Sequence, residues 1–477
     1  MNHTNRPLCV DLDGTLLKCD LSIDAIIYLI NRNPKYLIKI LFLFFKSKLE
    51  LKFFLAKNYI PLVRALPINL AVKDYIDTQK NNGRKIILIS GSPQSWVSQV
   101  AHDFPNFEEA IGSKEEIHLV GKMKAQFLVD RYGAKGFDYI GNSSQDIPVW
   151  KESEKKIRAS FWVMTSTKFD LSLFYPTETK NNSISNSISI FFKMLRPHQW
   201  VKNLLIFVPL LASHAISVDK LMIDLLAFMT FCLCASSGYI LNDILDIHHD
   251  RLHLKKKQRP IPSGNIPIGI ALTTSCLLFL ISIILAYQIN YFFLIGLISY
   301  FLLSFLYSIK LKNILLLDTF VLAGLYTLRL FCGGIAVSVD QSSWLHLFSA
   351  FFFLALALLK RFIELKNFNG IDDSIVPGRS YHKQDLSTIN TLGISSGFAS
   401  VVIFSLYIYQ ESTRSLYNFP EMLWIVCFLI LLWINRIWIL ADRNVIDHDP
   451  ITFAIKDKIS WWILSATLIT LIMAKFL

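Results

Sequence analysis

Asn242-Asp243-Ile244-Leu245-Asp246-Ile247-His248-His249-Asp250 closes a long apolar run and opens onto the basic stretch Arg251–Arg259. Asn242, Asp246 and Asp250 recur every four residues, so on a helix they form one polar stripe, with Asp243 beside it. Carboxylates beside hydrocarbon are costly and mark function. Together with the asparagine they suit Mg2+, a hard cation that takes oxygen ligands and bridges to substrate phosphates. His248 and His249 read as interfacial, non-ligating histidines rather than metal ligands. The next loop ends in Arg259-Pro260-Ile261-Pro262-Ser263-Gly264, a rigid turn whose guanidinium can grip a phosphate bidentately.

Working outward, the apolar residues dominate. The chain has 477 residues, 53% hydrophobic and only 18% charged, with a mean hydropathy of +0.43. Soluble chains carry about 25% charged residues, so a wholly soluble enzyme is disfavoured. Gly (19) and Pro (16) are too scarce for a collagen-like or disordered chain, and the seven cysteines form neither a disulfide nor a zinc framework. Pro260–Ile309 contains no Asp, Glu, Lys or Arg, room for two crossings at about 20 residues each. Apolar windows near 203–218, 221–242, 267–288, 291–308, 314–339, 344–360, 387–410, 421–441 and 459–476 predict about nine transmembrane helices.

Loop charge orients them. Arg251, Lys255–Lys257 and Arg259 follow the second window; Lys310 and Lys312 follow the fourth; Lys360, Arg361, Lys366, Arg379 and Lys383 follow the sixth. The intervening loops are nearly bare of cations. The expectation is a multi-pass protein of a bacterial-type cytoplasmic (inner) membrane, with the N-terminal region cytoplasmic and the C-terminus outside. The N-terminus runs straight into a polar motif, so no secretory signal peptide is expected. The net charge of +12 is accounted for by basic cytoplasmic loops and anionic lipid headgroups, so no nucleic-acid partner is called for.

Residues 1–165 have a different texture, with short apolar runs alternating with charged, helix-like segments. Leu8–Val10 runs into Asp11-Leu12-Asp13-Gly14-Thr15, a buried strand ending in a turn that carries alternating carboxylates. One such carboxylate can attack phosphorus while the other exchanges a proton with the leaving oxygen. Lys85–Ile89 delivers Ser90, Gly121-Lys122-Met123-Lys124 offers an ammonium, and Phe137–Ile140 leads to Asn142 and Asp146. This set, in this order, resembles the haloacid dehalogenase (HAD) phosphatase superfamily. The resemblance implies a Rossmann-like α/β domain with a helical cap over about Leu21–Leu66. It makes Asp11 the nucleophile and Asp13 the general acid/base, puts Ser90 and Lys124 (with Lys122 as rival) on the phosphate, and Asp11, Asp13 and Asp146 around Mg2+. Many members have an acid where Asn142 stands. Tyr36–Phe54, apolar and basic, reads either as a surface-lying amphipathic segment or as a plain cap helix. Residues 166–190 read as a linker, polar at Lys180–Ser189.

The motifs over 191–477 resemble the UbiA-type intramembrane prenyltransferase superfamily, whose hallmark is NDxxDxxxD followed by RPxxSG. Arg196-Pro197-His198-Gln199-Trp200-Val201-Lys202-Asn203 and Lys360-Arg361-Phe362-Ile363-Glu364-Leu365 resemble its polyprenyl-phosphate phosphoribosyltransferase branch. Where aromatic prenyltransferases carry a second aspartate cluster, this chain has Tyr307, Lys310, Lys312, Asp318 and Arg329. The resemblance implies a Mg2+-dependent transfer of 5-phosphoribose from phosphoribosyl diphosphate (PRPP) to a polyprenyl phosphate. Asn242, Asp243, Asp246 and Asp250 would hold the metal. Lys202, Asn203, Arg259, Lys310, Lys312 and Arg329 would bind phosphate, with Tyr307, Asp318, Lys360 and Arg361 as further candidates. The fused phosphatase would then remove the 5-phosphate, toward a cell-envelope pentose donor. An aromatic or haem-type prenyltransferase fused to an unrelated phosphatase, and a non-catalytic lipid-binding or transport scaffold, are the alternatives. A homo-oligomer is compatible with the sequence and not decided by it.

Overall fold

The computed structural model describes residues 6–104, 106–115, 117–159, 182–368, 379–446 and 449–476. Residues 166–181 of the expected linker lie outside them. The chain forms two compact units, Met1–Arg196 with Tyr239–Ser275, and Pro197–Gly238 with Cys276–Leu477.

The first unit is built on five parallel strands: β1 (Leu8–Val10), β2 (Ile86–Pro93), β3 (Glu109–Ser113), β4 (Asp138–Gly141) and β5 (Lys156–Arg158). Their order is β3-β2-β1-β4-β5, and Leu8 is in register with Ile86 on one side and Asp138 on the other. Both faces are buried, as a parallel sheet requires. Leu8, Val10, Ile86, Leu88 and Ile140 pack on one face and Cys9, Ile87, Ile89 and Tyr139 on the other, the alternation a strand imposes.

Between β1 and β2 lie the helices Leu21–Arg32, Tyr36–Lys46 and Lys48–Asn58, followed by Leu70–Asn81. Asp20 caps the first, accepting from the amides of Ser22 and Ile23 at 2.7 and 3.3 Å. The apolar, basic run Tyr36–Phe54 is therefore two helices, broken where Ser47 caps the second. The first of these buries only Ile40 and leaves Phe45 84% and Ile38 75% exposed. Part of the expected linker is helical, since a helix runs over Asn182–Leu195.

Among the described residues eight helices, not nine, are long and apolar enough to cross a membrane. They are Val218–Leu245, Ile268–Ile289, Tyr291–Ile309, Leu317–Ala336, Ser343–Lys366, Lys383–Tyr409, Pro420–Asp442 and Lys458–Phe476. The window near 203–218 is not a continuous α-helix. It is an 11-residue 3-10 helix, Pro197–Phe207, continued by the 5-residue α-helix Val208–Ala212. At about 2.0 and 1.5 Å per residue that pair is roughly 30 Å long, the thickness of a bilayer's hydrocarbon core. The core of the second unit centres on Phe353–Leu365, packed against Ile434, Ile437 and Trp438. Gly393 is required there, because an added Cβ would meet the Trp438 ring at 2.3 Å.

Candidate functional site

The strand order turns about β1, with β2 and β3 to one side and β4 and β5 to the other. In open parallel sheets the crevice at the carboxyl ends of the strands at such a point binds ligands. The sequence-predicted residues gather there. Asp11 leaves β1 with its amide bonded to the Ile140 carbonyl at 2.9 Å, and its Oδ1 accepts from Lys124 Nζ at 2.8 Å. Lys124 also donates to the Tyr139 hydroxyl at 3.0 Å, which in turn donates to Asp146 Oδ1 at 2.7 Å. Asp146 Oδ2 accepts from the amides of Asn142 and Ser143, both at 3.0 Å. Lys122 is exposed whereas Lys124 is buried.

Asp13 turns a different way. Its Oδ1 accepts from the Leu21 amide at 2.9 Å, and its Oδ2 accepts from Ser92 Oγ at 2.5 Å and Ser90 Oγ at 3.3 Å. Burial pushes its carboxyl up to about 7, with the Asp20 charge adding to the rise. Asp11 is also raised, by burial first and against the opposing pull of Lys124. Ser92 and Tyr139 were missed by sequence reading. For Ser92 the signal was present, since Ser90 and Ser92 alternate onto one strand face. Asn142 packs on Gly14, whose φ of +74° favours glycine; a Cβ there would stand 2.0 Å from the Asn142 amide nitrogen. Among the described residues no three His, Cys, Asp or Glu side chains form a ready metal cage. Asp11 and Asp146 nevertheless face one ammonium, that of Lys124, at 2.8 and 3.8 Å, so the donor set suits a cation.

The aspartate motif spans the end of one helix and the start of the next. The helix stops at Leu245 and a second begins at Ile247, although Asp246 and Asp250 keep their amide bonds to the carbonyls four residues back. The carboxylates that converge are Asp243 and Asp250, two turns apart. Asp243 Oδ1 and Asp250 Oδ2 lie 3.0 and 2.7 Å from Arg259 Nη1. Arg196 pairs with Asp243 as well, its guanidinium 5.6 Å from the Tyr239 ring centroid. Two buried carboxylates sharing one cationic nitrogen are a fitting donor set for a hard metal ion. His248 Nε2 donates to the Asp24 carbonyl at 3.1 Å, and burial lowers its pKa.

That contact belongs to a larger junction that sequence reading missed entirely. Arg251 pairs with Asp24, both buried, and its Nε donates to the Pro262 carbonyl at 3.2 Å. Asn31 donates to the Leu245 carbonyl at 2.5 Å. Gly264, at φ +69°, approaches Lys18 so closely that a Cβ would stand 2.7 Å from Lys18 Cβ. The loop after the aspartate motif thus packs directly on the α/β domain.

In the second unit, Arg329 does not present a free phosphate grip. Its Nε donates to Asn203 Oδ1 at 2.8 Å, Nη1 to the Leu325 carbonyl at 2.7 Å and Nη2 to the Tyr300 hydroxyl at 2.6 Å. Arg329 and Asn203, both buried, therefore tie the 3-10 helix to Leu317–Ala336. Asp318 is fully buried; Arg361 Nε lies 2.9 Å from its Oδ2, and the Tyr381 hydroxyl donates to its Oδ1 at 2.5 Å. Lys202 lies 3.3 Å from Asp449. Lys360 precedes Arg361 on the same helix, and Lys310 and Lys312 follow the helix Tyr291–Ile309. Arg379, which sequence reading counted only as a topology charge, donates to the Tyr307 hydroxyl at 3.2 Å.

Residues 204–370 match the UbiA prenyltransferase family. The uncharacterised protein y4nM of Sinorhizobium fredii is 31% identical over 459 residues, 96% of this chain and 89% of that protein. Nodulation protein NoeC of Azorhizobium caulinodans is 33% identical over 55% of this chain and 85% of its own length. The chain carries a UbiA prenyltransferase family domain. Within the UbiA relatives, the decaprenyl-phosphate phosphoribosyltransferase of Mycolicibacterium smegmatis is 33% identical over 38% of this chain and 58% of its own length. This UbiA protein is thus a prenyltransferase-type, multi-pass membrane enzyme, carrying a parallel α/β domain at its N-terminus.

Proposed function

We propose that this UbiA enzyme transfers 5-phosphoribose from PRPP to a polyprenyl phosphate, and that its N-terminal domain is a HAD-type phosphatase that removes the 5-phosphate from the product. The observation that carries the choice of transfer is Asp318. It is the acid standing where a second metal-binding cluster would be needed for a prenyl diphosphate, and it is fully buried between Arg361 and Tyr381. A carboxylate neutralised in this way is a poor ligand for further metal ions. The surrounding cations suit two anionic substrates better than a neutral aromatic acceptor. Similarity to decaprenyl-phosphate phosphoribosyltransferases supports the same branch.

In the transfer, the bond from the ribose anomeric carbon to the diphosphate oxygen breaks and a lipid phosphate oxygen forms the new bond to that carbon. Asp243, Asp246 and Asp250, with Asn242, would hold Mg2+, which supplies neutralisation of the leaving diphosphate. Arg259 and Arg196, held by Asp243 and Asp250, stand ready to exchange those carboxylates for phosphate oxygens. In the phosphatase, an Asp11 oxygen attacks phosphorus while Asp13 gives its proton to the leaving 5-oxygen. Water then hydrolyses the aspartyl phosphate as Asp13 takes the proton back. Lys124 and Ser90 hold the phosphoryl oxygens, and Asp11 and Asp146 would hold a second Mg2+. The α/β domain is placed in the cytoplasm and the C-terminus outside, following the loop charges.

The test is incubation of purified protein with labelled PRPP, Mg2+ and a polyprenyl phosphate, followed by mass analysis of the lipid. The expected product is a ribosyl lipid without the 5-phosphate. No ribose on the lipid would overturn the transferase reading.

A further inference from the structure

We propose that the cavity beside Asp11 is a two-anion site, in which Lys124 and Ser90 receive the phosphoryl group to be removed while Lys18 and Lys52 receive a second phosphate of the same substrate. This rests on the phosphatase reading above and adds the residues that recognise the second phosphate of its substrate, a phosphomonoester joined through its sugar to a phosphodiester that continues into hydrocarbon.

The cavity measures about 360 Å³, within the range of about 300–1,000 Å³ typical of small-molecule sites. Asp11, Asp13, Ser90, Lys124 and Asp146 line it, and so do Lys18, Lys52 and Arg251. Two of these cations are already neutralised. Lys124 is matched by Asp11 and Arg251 by Asp24. The other two are not: among the described residues neither Lys18 nor Lys52 pairs with a carboxylate. Lys18 Nζ donates to Asn265 Oδ1 at 3.3 Å, and Lys52 Nζ to the Gly91 carbonyl at 2.9 Å. An ammonium has three donors, so each retains capacity for an anion. Asp20 also lines the cavity; its Oδ1 caps the helix at Ser22 and Ile23, its charge acts on Asp13, and among the described residues it forms an ion pair with neither lysine.

Position agrees with the charge. Lys52 lies across Gly91, next to the phosphate-binding Ser90, and Lys18 follows the Asp11–Thr15 turn. Half-buried cations without counter-ions are costly, and a bound phosphate offsets that cost. The neighbouring wall is apolar, formed by Ile261 and Ile266 of the loop that follows the aspartate motif and by Ile268 at the start of the next helix. It is held by Gly264 against Lys18 and by Arg251 against Asp24. An apolar wall beside a second cationic subsite fits a phosphate that bears an acyclic hydrocarbon chain.

The test uses the full-length protein in detergent, with ribose 5-phosphate, ribose 1,5-bisphosphate and a short-chain prenyl-phospho-ribose 5-phosphate as substrates. Release of the 5-phosphate is followed for each. We expect kcat/KM for ribose 1,5-bisphosphate to exceed that for ribose 5-phosphate at least tenfold, chiefly through KM, and the prenyl diester to exceed both. In Lys18→Gln/Lys52→Gln the ratio of bisphosphate to monophosphate should collapse to within about twofold. A wild-type ratio near one, or a ratio unchanged in the double variant, overturns the second subsite. A prenyl diester no better than the bisphosphate overturns the apolar wall as a lipid contact. If none of the three is hydrolysed, the phosphatase reading fails by itself. Calorimetric binding to Asp11→Asn then decides the subsite: bisphosphate binding at least tenfold tighter than monophosphate supports it, and equal binding overturns it.

Discussion

Arg251 and Asp24, 227 positions apart, form a buried ion pair that joins the short helix Ile247–Leu252, which carries the end of the aspartate motif, to the first helix of the α/β domain. Removing one partner of a buried pair leaves an uncompensated charge and costs about 3–5 kcal/mol, whereas replacing both by apolar residues of similar volume is often neutral. Asp24→Leu and Arg251→Met should each lower the thermal midpoint markedly, and the double variant should recover most of the loss. Thermal unfolding of the three detergent-solubilised variants checks this. A double variant as unstable as the worse single one would show that the pair is not the main tie.

Gly264 makes the other tie by shape rather than charge. Its backbone is left-handed, at φ +69°, and it leaves no room for a Cβ beside Lys18. Gly264→Ala therefore meets both a conformational cost of about 1–2 kcal/mol and a clash that displaces the apolar wall of the cavity. The expected outcome is a lower thermal midpoint together with at least a tenfold fall in 5-phosphate release. A variant with full stability and full phosphatase activity would disprove the tight fit.

For the proposed phosphatase activity, Asp13 predicts an alkaline limb. Burial raises its carboxyl to about 7, so it carries the proton needed by the leaving oxygen below that pH and loses it above. Phosphomonoester hydrolysis should fall about tenfold per unit as pH rises beyond 7, once ionised Asp13 dominates. Stability shifts in the same sense. The folded pKa lies above the unfolded value of 3.8, so the contribution of protonated Asp13 is full below about pH 4 and is lost as pH rises through 7. Asp13→Asn should remove this limb from the pH profile along with most of the activity. A profile flat to pH 9 in the wild type would rule out Asp13 as the acid.

Asp243 is placed to separate the two activities. It holds both Arg259 and Arg196 and lies outside the set that lines the cavity beside Asp11. Asp243→Asn should lower ribosyl-lipid formation at least a hundredfold, while hydrolysis of ribose 5-phosphate stays within about threefold of wild type. Equal loss of both activities would mean that the aspartate motif supports the whole first unit rather than the transfer.

What could be read from the sequence divides along the range of the interactions. Asp11, Ser90 and Asp146 were legible because each closes or follows a short apolar strand, and parallel strands bring their ends together; Lys124 was legible from the Gly121-Lys122-Met123-Lys124 run that opens a helix. The membrane helices were legible through their lack of charge. The 3-10 segment Pro197–Phe207 was not, since its apolar content looks the same in either helix type. The stripe Asn242–Asp246–Asp250 followed from helical periodicity, and the same periodicity puts Asp243 and Asp250, two turns apart, where Arg259 meets both. Asp24–Arg251 and Gly264–Lys18 depend on contacts between segments more than two hundred residues apart, which no local pattern records.

Asp11 tests whether the two halves act in sequence. Its carboxylate is the group expected to take the phosphoryl, and Asn preserves its size while removing the attacking charge. Lys124 would lose its counter-ion at 2.8 Å, but Asp146 at 3.8 Å and the Tyr139 hydroxyl at 3.0 Å still anchor it, so the domain should fold. With PRPP and polyprenyl phosphate supplied, Asp11→Asn should accumulate lipid that retains the 5-phosphate, where the wild type yields ribosyl lipid without it. Fusion raises the effective concentration of the product near the phosphatase without any new contact, so the difference should persist at low enzyme concentration. Mass analysis of the extracted lipid distinguishes the outcomes. Identical phosphorylated lipid from both proteins would separate the phosphatase from this pathway and leave the transferase reading intact.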